Sequence, residues 1–227
     1  MLTKILGEID AVAFDIDGTL YRESKLNIRI LPHFLCHIVF FSKYGIVRKQ
    51  LRKKDFYEDF DKAQAELLGK YLHCSAQKAE QKLDKIVYSG LKKYFTKFNA
   101  CSGALELILR LKEQGVKIAV LSDFPPDQKG DIWGIREHCD VVLGSEEIGA
   151  LKPSPHVFSV LAQKLSVPNE KILYVGNNHT YDVIGPKNAG MKAAWIISGI
   201  KAFFGKKSKA ADITFSKYKQ LEDILFK

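Results

Sequence analysis

Five short apolar runs, with amphipathic stretches among them, constrain the fold most. They are AVAFDID (11–17), VKIAVLSD (116–123), KILYVGN (171–177), KAAWIIS (192–198) and DITF (212–215). Continuous apolar runs of this length suit parallel strands covered on both faces. The stretches ALELILRLKEQG (104–115) and PHVFSVLAQKL (155–165) have helical periodicity. Gly115 fits a helix stop and Pro155 a first helical turn. This alternation predicts a doubly wound α/β sheet.

Residues 22–100 break the pattern. They lack strand-like runs and are rich in Lys, Gln, Glu, Ala and Leu. FYEDFDKAQAELLGKYL (56–72) and AQKAEQKLDKIVYSGLKKYF (76–95) read as amphipathic helices, and LPHFLCHIVFF (31–41) as a buried helix. The last is too short for the ~20 apolar residues of a membrane span. The expected division is an α/β core from 1–21 and 101–227, with a helical subdomain from 22–100. That segment holds 17 Lys/Arg against 8 Asp/Glu and so carries the whole net charge of +9. Its densest run, VRKQLRKK (47–54), reads as a solvated helix face, without the recognition fold or interleaved aromatics of a nucleic-acid binder. The basic and apolar stretch 37–54 reads as a helix with its apolar face turned inward, in preference to one lying on a membrane.

The four cysteines, Cys36, Cys74, Cys101 and Cys139, form no C-x-x-C pair and read as small buried hydrophobes in a reducing compartment. No charged-then-apolar leader precedes the first strand, so the expected location is cytoplasmic.

In open α/β sheets, ligands bind beyond the carboxyl ends of the strands. The first strand ends in DIDGTLY, where Asp15 and Asp17 stand two apart before Gly18. Two close carboxylates repel unless a cation or proton is shared; an Asx-turn is the ordinary alternative. The second strand ends in Ser122-Asp123. Lys152 follows in GALKPSPHVF, before a helix, and the third strand opens into GNNHTYD.

Taken in order, D-x-D-G-T-L, an apolar strand ending in Ser, K-P-x-P-x-x-F and a strand followed by Gly and a later acid resemble the haloacid dehalogenase superfamily. The resemblance spans almost the whole chain. It implies a Rossmann-like core with Mg²⁺ at the strand ends and a helical cap between the first and second motifs. It implies Asp15 as a nucleophile that forms an aspartyl-phosphate, and Asp17 as general acid and then base. Ser122 would bond a phosphoryl oxygen, and Lys152 would offset phosphoryl charge. Gly18, Thr19, Arg22 and Asp123 would line the substrate; Lys25 and Arg29 could also reach an anion. Halide-removing members lack the second aspartate, so Asp17 favours phosphoryl transfer.

One position departs from the pattern. The fourth motif usually begins G-D, and here it begins Gly176-Asn177, with Asp182 retained. The expected metal ligands are Asp15, Asp17 through its carbonyl, Asn177 and Asp182. An amide oxygen is a neutral ligand for Mg²⁺. Asp182 could supply the carboxylate directly, Asn177 could ligate weakly, or the protein could bind phosphate ligands without turnover. Asn178 reads as turn chemistry, and His179 as a surface residue. The expected activity is a Mg²⁺-dependent phosphatase acting on small anionic phosphate monoesters, with a phosphomutase and a non-catalytic binder as alternatives. A monomer or homodimer without a membrane span or nucleic-acid partner is expected.

Overall fold

The computed structural model describes residues 6–96, 99–198, 202, 204–205 and 207–227. Six parallel strands form one sheet in the order β3-β2-β1-β4-β5-β6. They are β1 Ala11–Phe14, β2 Lys117–Ser122, β3 Val141–Gly144, β4 Ile172–Gly176, β5 Lys192–Ile196 and β6 Ile213–Phe215. The central strands β1 and β4 are buried throughout, as runs covered on both faces must be. Leu107, Ile108 and Leu111 pack on one face with Val12, Phe14 and Val120, and Val157, Phe158 and Leu161 on the other with Ala11, Ala13 and Ala119. This is the expected α/β class. β3, a four-residue edge strand half-buried at its start, is absent from the five predicted strands.

Between β1 and α6 (Ala104–Glu113) the chain is helical. The helices are α1 Glu23–Cys36, α2 Ile38–Leu51, α3 Phe60–Leu72, α4 Ala76–Leu83 and α5 Ser89–Phe95. α3 begins four residues later than its apolar pattern suggests, because the Asp59 side chain caps it by accepting from the Lys62 N–H. A wide turn, Asp84–Tyr88, joins α4 to α5. Gly90 permits it: a Cβ there would lie 2.3 Å from the Lys85 carbonyl oxygen.

The buried helix expected over 31–41 is corrected. The chain breaks at His37, and α1 and α2 meet there at 108°. Leu31, Phe34, Leu35, Ile38 and Val39 are exposed. The buried side of this pair is carried instead by Leu26, Phe40, Tyr44, Val47 and Leu51. The cysteine expectation is corrected too: Cys36 is exposed on α1, the other three are half-buried, and all four are free thiols. Among the described residues no single helix is long and apolar enough to cross a membrane. Further helices are α7 Pro155–Leu165, α8 Gly185–Asn188 and α9 Tyr218–Leu225.

Candidate active site

β1 lies between β2 and β4, with Phe14 opposite Val120 and Val175. The chain leaves β1 for one side of the sheet and reaches β4 on the other, so a crevice opens at their carboxyl ends. The loops after β1, β2, β3 and β4 converge there.

Asp15 is the first residue beyond β1. Its N–H donates to the Val175 carbonyl at 2.9 Å, which fixes the loop. One carboxylate oxygen accepts from Thr19 Oγ1 at 2.9 Å and the other from Lys152 Nζ at 2.7 Å. Lys152 Nζ also donates to Asp182 Oδ1 at 2.7 Å and to the Tyr174 hydroxyl at 3.1 Å. All four of these partners are buried. Burial opposes charge on Lys152, but Asp15 and Asp182 outweigh it and hold the ammonium well above its ordinary value. With two carboxylates on one ammonium, Asp15 is pushed up to about 8, first by burial and then by Asp182 and Asp17, against the pull of Lys152.

The second carboxylate of the first motif is held separately. Asp17 Oδ1 accepts from the Tyr21 hydroxyl at 2.7 Å, and Oδ2 from Ser122 Oγ at 3.1 Å. Lys129 Nζ lies 3.1 Å from the same Oδ2, with its side chain fully buried between the rings of Phe95 and Phe124. Tyr21 and Lys129 were not among the expected site residues. Tyr21 could have been found four residues after Asp17 in the same loop. Lys129 lies in the polar stretch PPDQKGD and has no sequence signal of its own.

Asp123 supports the loops. Its Oδ1 accepts from Ser145 Oγ at 2.9 Å and from the Lys152 N–H at 3.0 Å. Its Oδ2 pairs with Arg52, whose Nε donates to the Lys152 carbonyl at 3.0 Å and whose guanidinium stacks 4.5 Å from the Tyr181 ring centroid. Burial raises Asp123, but Lys152, Arg52 and Arg48 outweigh it and hold the carboxyl below its ordinary value. Arg48 is buried against Glu146, with Gln64 and Tyr88 completing the cluster. The run VRKQLRKK is therefore not one solvated face. Helical geometry turns Val47, Arg48, Leu51 and Arg52 inward and leaves Lys49, Lys53 and Lys54 exposed.

Asn177 follows β4 and packs over the first-motif loop: a Cβ on Gly18, at φ +84°, would sit 2.1 Å from Asn177 Nδ2. Its backbone carbonyl accepts from Trp195 Nε1 at 2.9 Å. Asn178 Oδ1 accepts from the N–H groups of Thr180 and Tyr181, the turn role expected of it. Both oxygens of Asp182 are engaged, Oδ1 by Lys152 and Oδ2 by the Asn178 N–H at 2.9 Å. His179 is exposed and bonded to Ser208. Arg22 is exposed and, with Gly18 and Asn177, lines a cavity of about 810 Å³ beside the carboxylates; Lys25 and Arg29 are exposed on α1.

Among the described residues no three His, Cys, Asp or Glu side chains are grouped as a metal site. Asp15 and Asn177, which packs over the loop that carries Asp15 and Asp17, still offer oxygen donors of the kind Mg²⁺ takes. One carboxylate and neutral amide or carbonyl oxygens are an ordinary set for this ion when a phosphoryl group supplies the rest.

The haloacid dehalogenase-like hydrolase family model matches residues 9–190. The chain belongs to this family. It is 26% identical over 190 residues to pyrophosphatase PpaX of Halalkalibacterium halodurans, covering 82% of this chain and 83% of that protein. PpaX of Bacillus mycoides is 26% identical over 206 residues, covering 85% and 86%. The fold matches a HAD phosphatase from Thermococcus onnurineus with a TM-score of 0.65 at 22% identity, over 95% of this chain and 97% of that one. It also matches an L-2-haloacid dehalogenase from Xanthobacter autotrophicus with a TM-score of 0.64 at 20% identity, over 95% and 98%.

Proposed function

We propose that this hydrolase cleaves the P–O bond of small phosphorylated molecules through an aspartyl-phosphate on Asp15. The observation that carries the reading is Asp17. A carboxyl two residues beyond the nucleophile, fixed in place by Tyr21, Ser122 and Lys129, is the acid–base group that an oxygen leaving group needs and a halide does not. The PpaX relatives favour the same class and extend it from monoesters to phosphoanhydrides.

In this reading Asp15 attacks phosphorus through the oxygen that Thr19 orients. Lys152 stabilises the charge on the transferring group as a preorganised, buried ammonium. Asp17 protonates the leaving oxygen, then takes a proton from the water that hydrolyses the acyl phosphate. Asp182 positions Lys152, and Asp123 positions the Lys152 backbone. The helices α1–α5 serve as a cap, with Arg52 reaching from it to the site. When bound, Mg²⁺ would offset repulsion between Asp15 and the phosphoryl group, held by Asp15, the Asp17 carbonyl and Asn177.

The test is release of inorganic phosphate from a panel of phosphate monoesters and pyrophosphate across a Mg²⁺ titration. Wild type should turn over at least one of them and Asp15→Asn none. Asn177→Asp should lower the half-saturating Mg²⁺ about tenfold or more, because a charged ligand replaces a neutral one. A silent wild type beside an active Asn177→Asp would make the natural protein a phosphate-ligand binder. Silence of both would refute hydrolysis of these substrates.

A further inference from the structure

The corner formed by α1 and α2 has an apolar surface that the fold leaves uncovered. Ile28, Leu31 and Leu35 follow one another along the outer face of α1 at helical spacing. Ile38 and Val39 continue the surface past His37, and Ile46 lies one helical repeat along α2. Ile28 is 76% exposed, Val39 68% and Leu35 56%. The opposite face of α2 is apolar as well, and Phe40, Tyr44, Val47 and Leu51 bury it. A helix that is apolar on both sides needs a second apolar environment.

Charge narrows what that environment is. From Ser24 to Lys54 the chain has eight Lys/Arg and no Asp or Glu. Arg48 and Arg52 turn inward onto Glu146 and Asp123. Lys25, Lys49 and Lys53 stay exposed, and Lys43 is half-exposed. A second copy docked face to face would set this acid-free stretch against itself. A surface that is both apolar and anionic complements it.

We propose that this corner docks on an anionic phospholipid bilayer. Ile28, Leu31, Leu35, Ile38 and Val39 enter the headgroup–acyl boundary, and Lys25, Lys43, Lys49 and Lys53 meet the phosphates. The chain lies on the membrane without crossing it, held by buried apolar area and by attraction to anionic lipid. This reverses the expectation that the apolar face of 37–54 is turned only inward. It does not depend on the hydrolase chemistry, because neither its apolar residues nor Lys43, Lys49 and Lys53 belong to the site.

The experiment is sedimentation of the full chain with sucrose-loaded vesicles of phosphatidylcholine alone or mixed equally with phosphatidylglycerol. Wild type should pellet with the mixed vesicles and stay in solution with phosphatidylcholine. Raising NaCl from about 0.05 to about 0.5 M should weaken binding about tenfold or more. The variants Leu35→Glu/Val39→Glu and Lys49→Glu/Lys53→Glu should each lose about tenfold or more. Leu35→Trp, which leaves the buried face untouched, should shift its emission to the blue on mixed vesicles and be quenched by acyl-brominated lipid. An unshifted Leu35→Trp, or a Leu35→Glu/Val39→Glu protein that pellets like wild type, would overturn the proposal. So would a lipid-free wild-type dimer, measured by light scattering, that this double variant dissolves while neither protein pellets with vesicles.

Discussion

Replacing Asp182 by Asn separates two roles that the same carboxylate could play. If Asp182 positions Lys152, as its bonds suggest, the variant loses structure first. An Asn can keep its oxygen toward Lys152, but its amide then faces the Asn178 N–H, donor against donor, where Oδ2 had accepted at 2.9 Å. A buried hydrogen bond to a charged group is lost or badly weakened, and Lys152 keeps Asp15 as its remaining carboxylate. Such bonds contribute about 1.5–3 kcal/mol, so the expected loss is about 2 kcal/mol. In a domain of this size that lowers the melting temperature by about 4–8 °C. Asp182 is also among the causes that raise Asp15. Without that charge Asp15 ionises at lower pH, and the acid limb of the pH–rate profile moves down. Differential scanning calorimetry and a phosphate-release profile measure both effects, with a Mg²⁺ titration beside them. An unchanged melting temperature with a tenfold rise in half-saturating Mg²⁺ would refute the reasoning and make Asp182 a direct metal ligand.

Three further outcomes are expected. Arg48→Met leaves Glu146 buried without its cation and should cost about 3–5 kcal/mol in urea unfolding, whereas Arg48→Met/Glu146→Leu should recover much of it. Lys129→Met removes the cation on Asp17 and should lower kcat about tenfold or more with KM little changed, with Lys129→Arg restoring part of it in steady-state assays. Because Asp15 is raised from an ordinary 3.8 to about 8, the folded state binds its proton more tightly than the unfolded state does. Its contribution to stability is therefore present below about pH 4 and is lost progressively up to about pH 8. The melting temperature of wild type relative to Asp15→Asn should fall across that window, by calorimetry at matched ionic strength.

The strands that deliver the site were legible because two-sided burial demands apolar runs. β3 was missed although its VVLG is as apolar as the run that forms β6, because a run this short does not tell a strand from a turn by apolarity alone. Asp15, Asp17 and Ser122 were found because they close two apolar runs, whereas Lys152, which precedes α7 and ends no strand, came with the family resemblance. Their partners were not found. Lys129 reaches Asp17 only because a short turn after β2 folds back beneath Phe95 of α5, a contact between distant parts of the chain. The engagement of Asp182 was invisible for a similar reason: an acid in GNNHTYD looks equally ready for a metal or a lysine until the lysine's reach is known. The break at His37 was hidden because apolar content alone does not say which side of a helix faces the protein.

The basic segment illustrates the same distinction between amount and direction. Its +9 reads as a uniform field that draws anions toward the site. Within one helical run, however, the charges divide. Arg48 is neutralised by Glu146 and Arg52 by Asp123, so at the site these two bind α2 to the loops after β2 and β3. Their charge acts locally, through the Lys152 carbonyl and the Tyr181 ring that Arg52 touches. Lys49, Lys53 and Lys54 keep their charge in solvent, where it acts at a distance and is screened by salt. The inward residues therefore govern the geometry around Lys152, and the outward ones govern what the surface of α2 attracts. One helix serves both ends because a period of 3.6 residues places Arg48 and Lys49 on different faces.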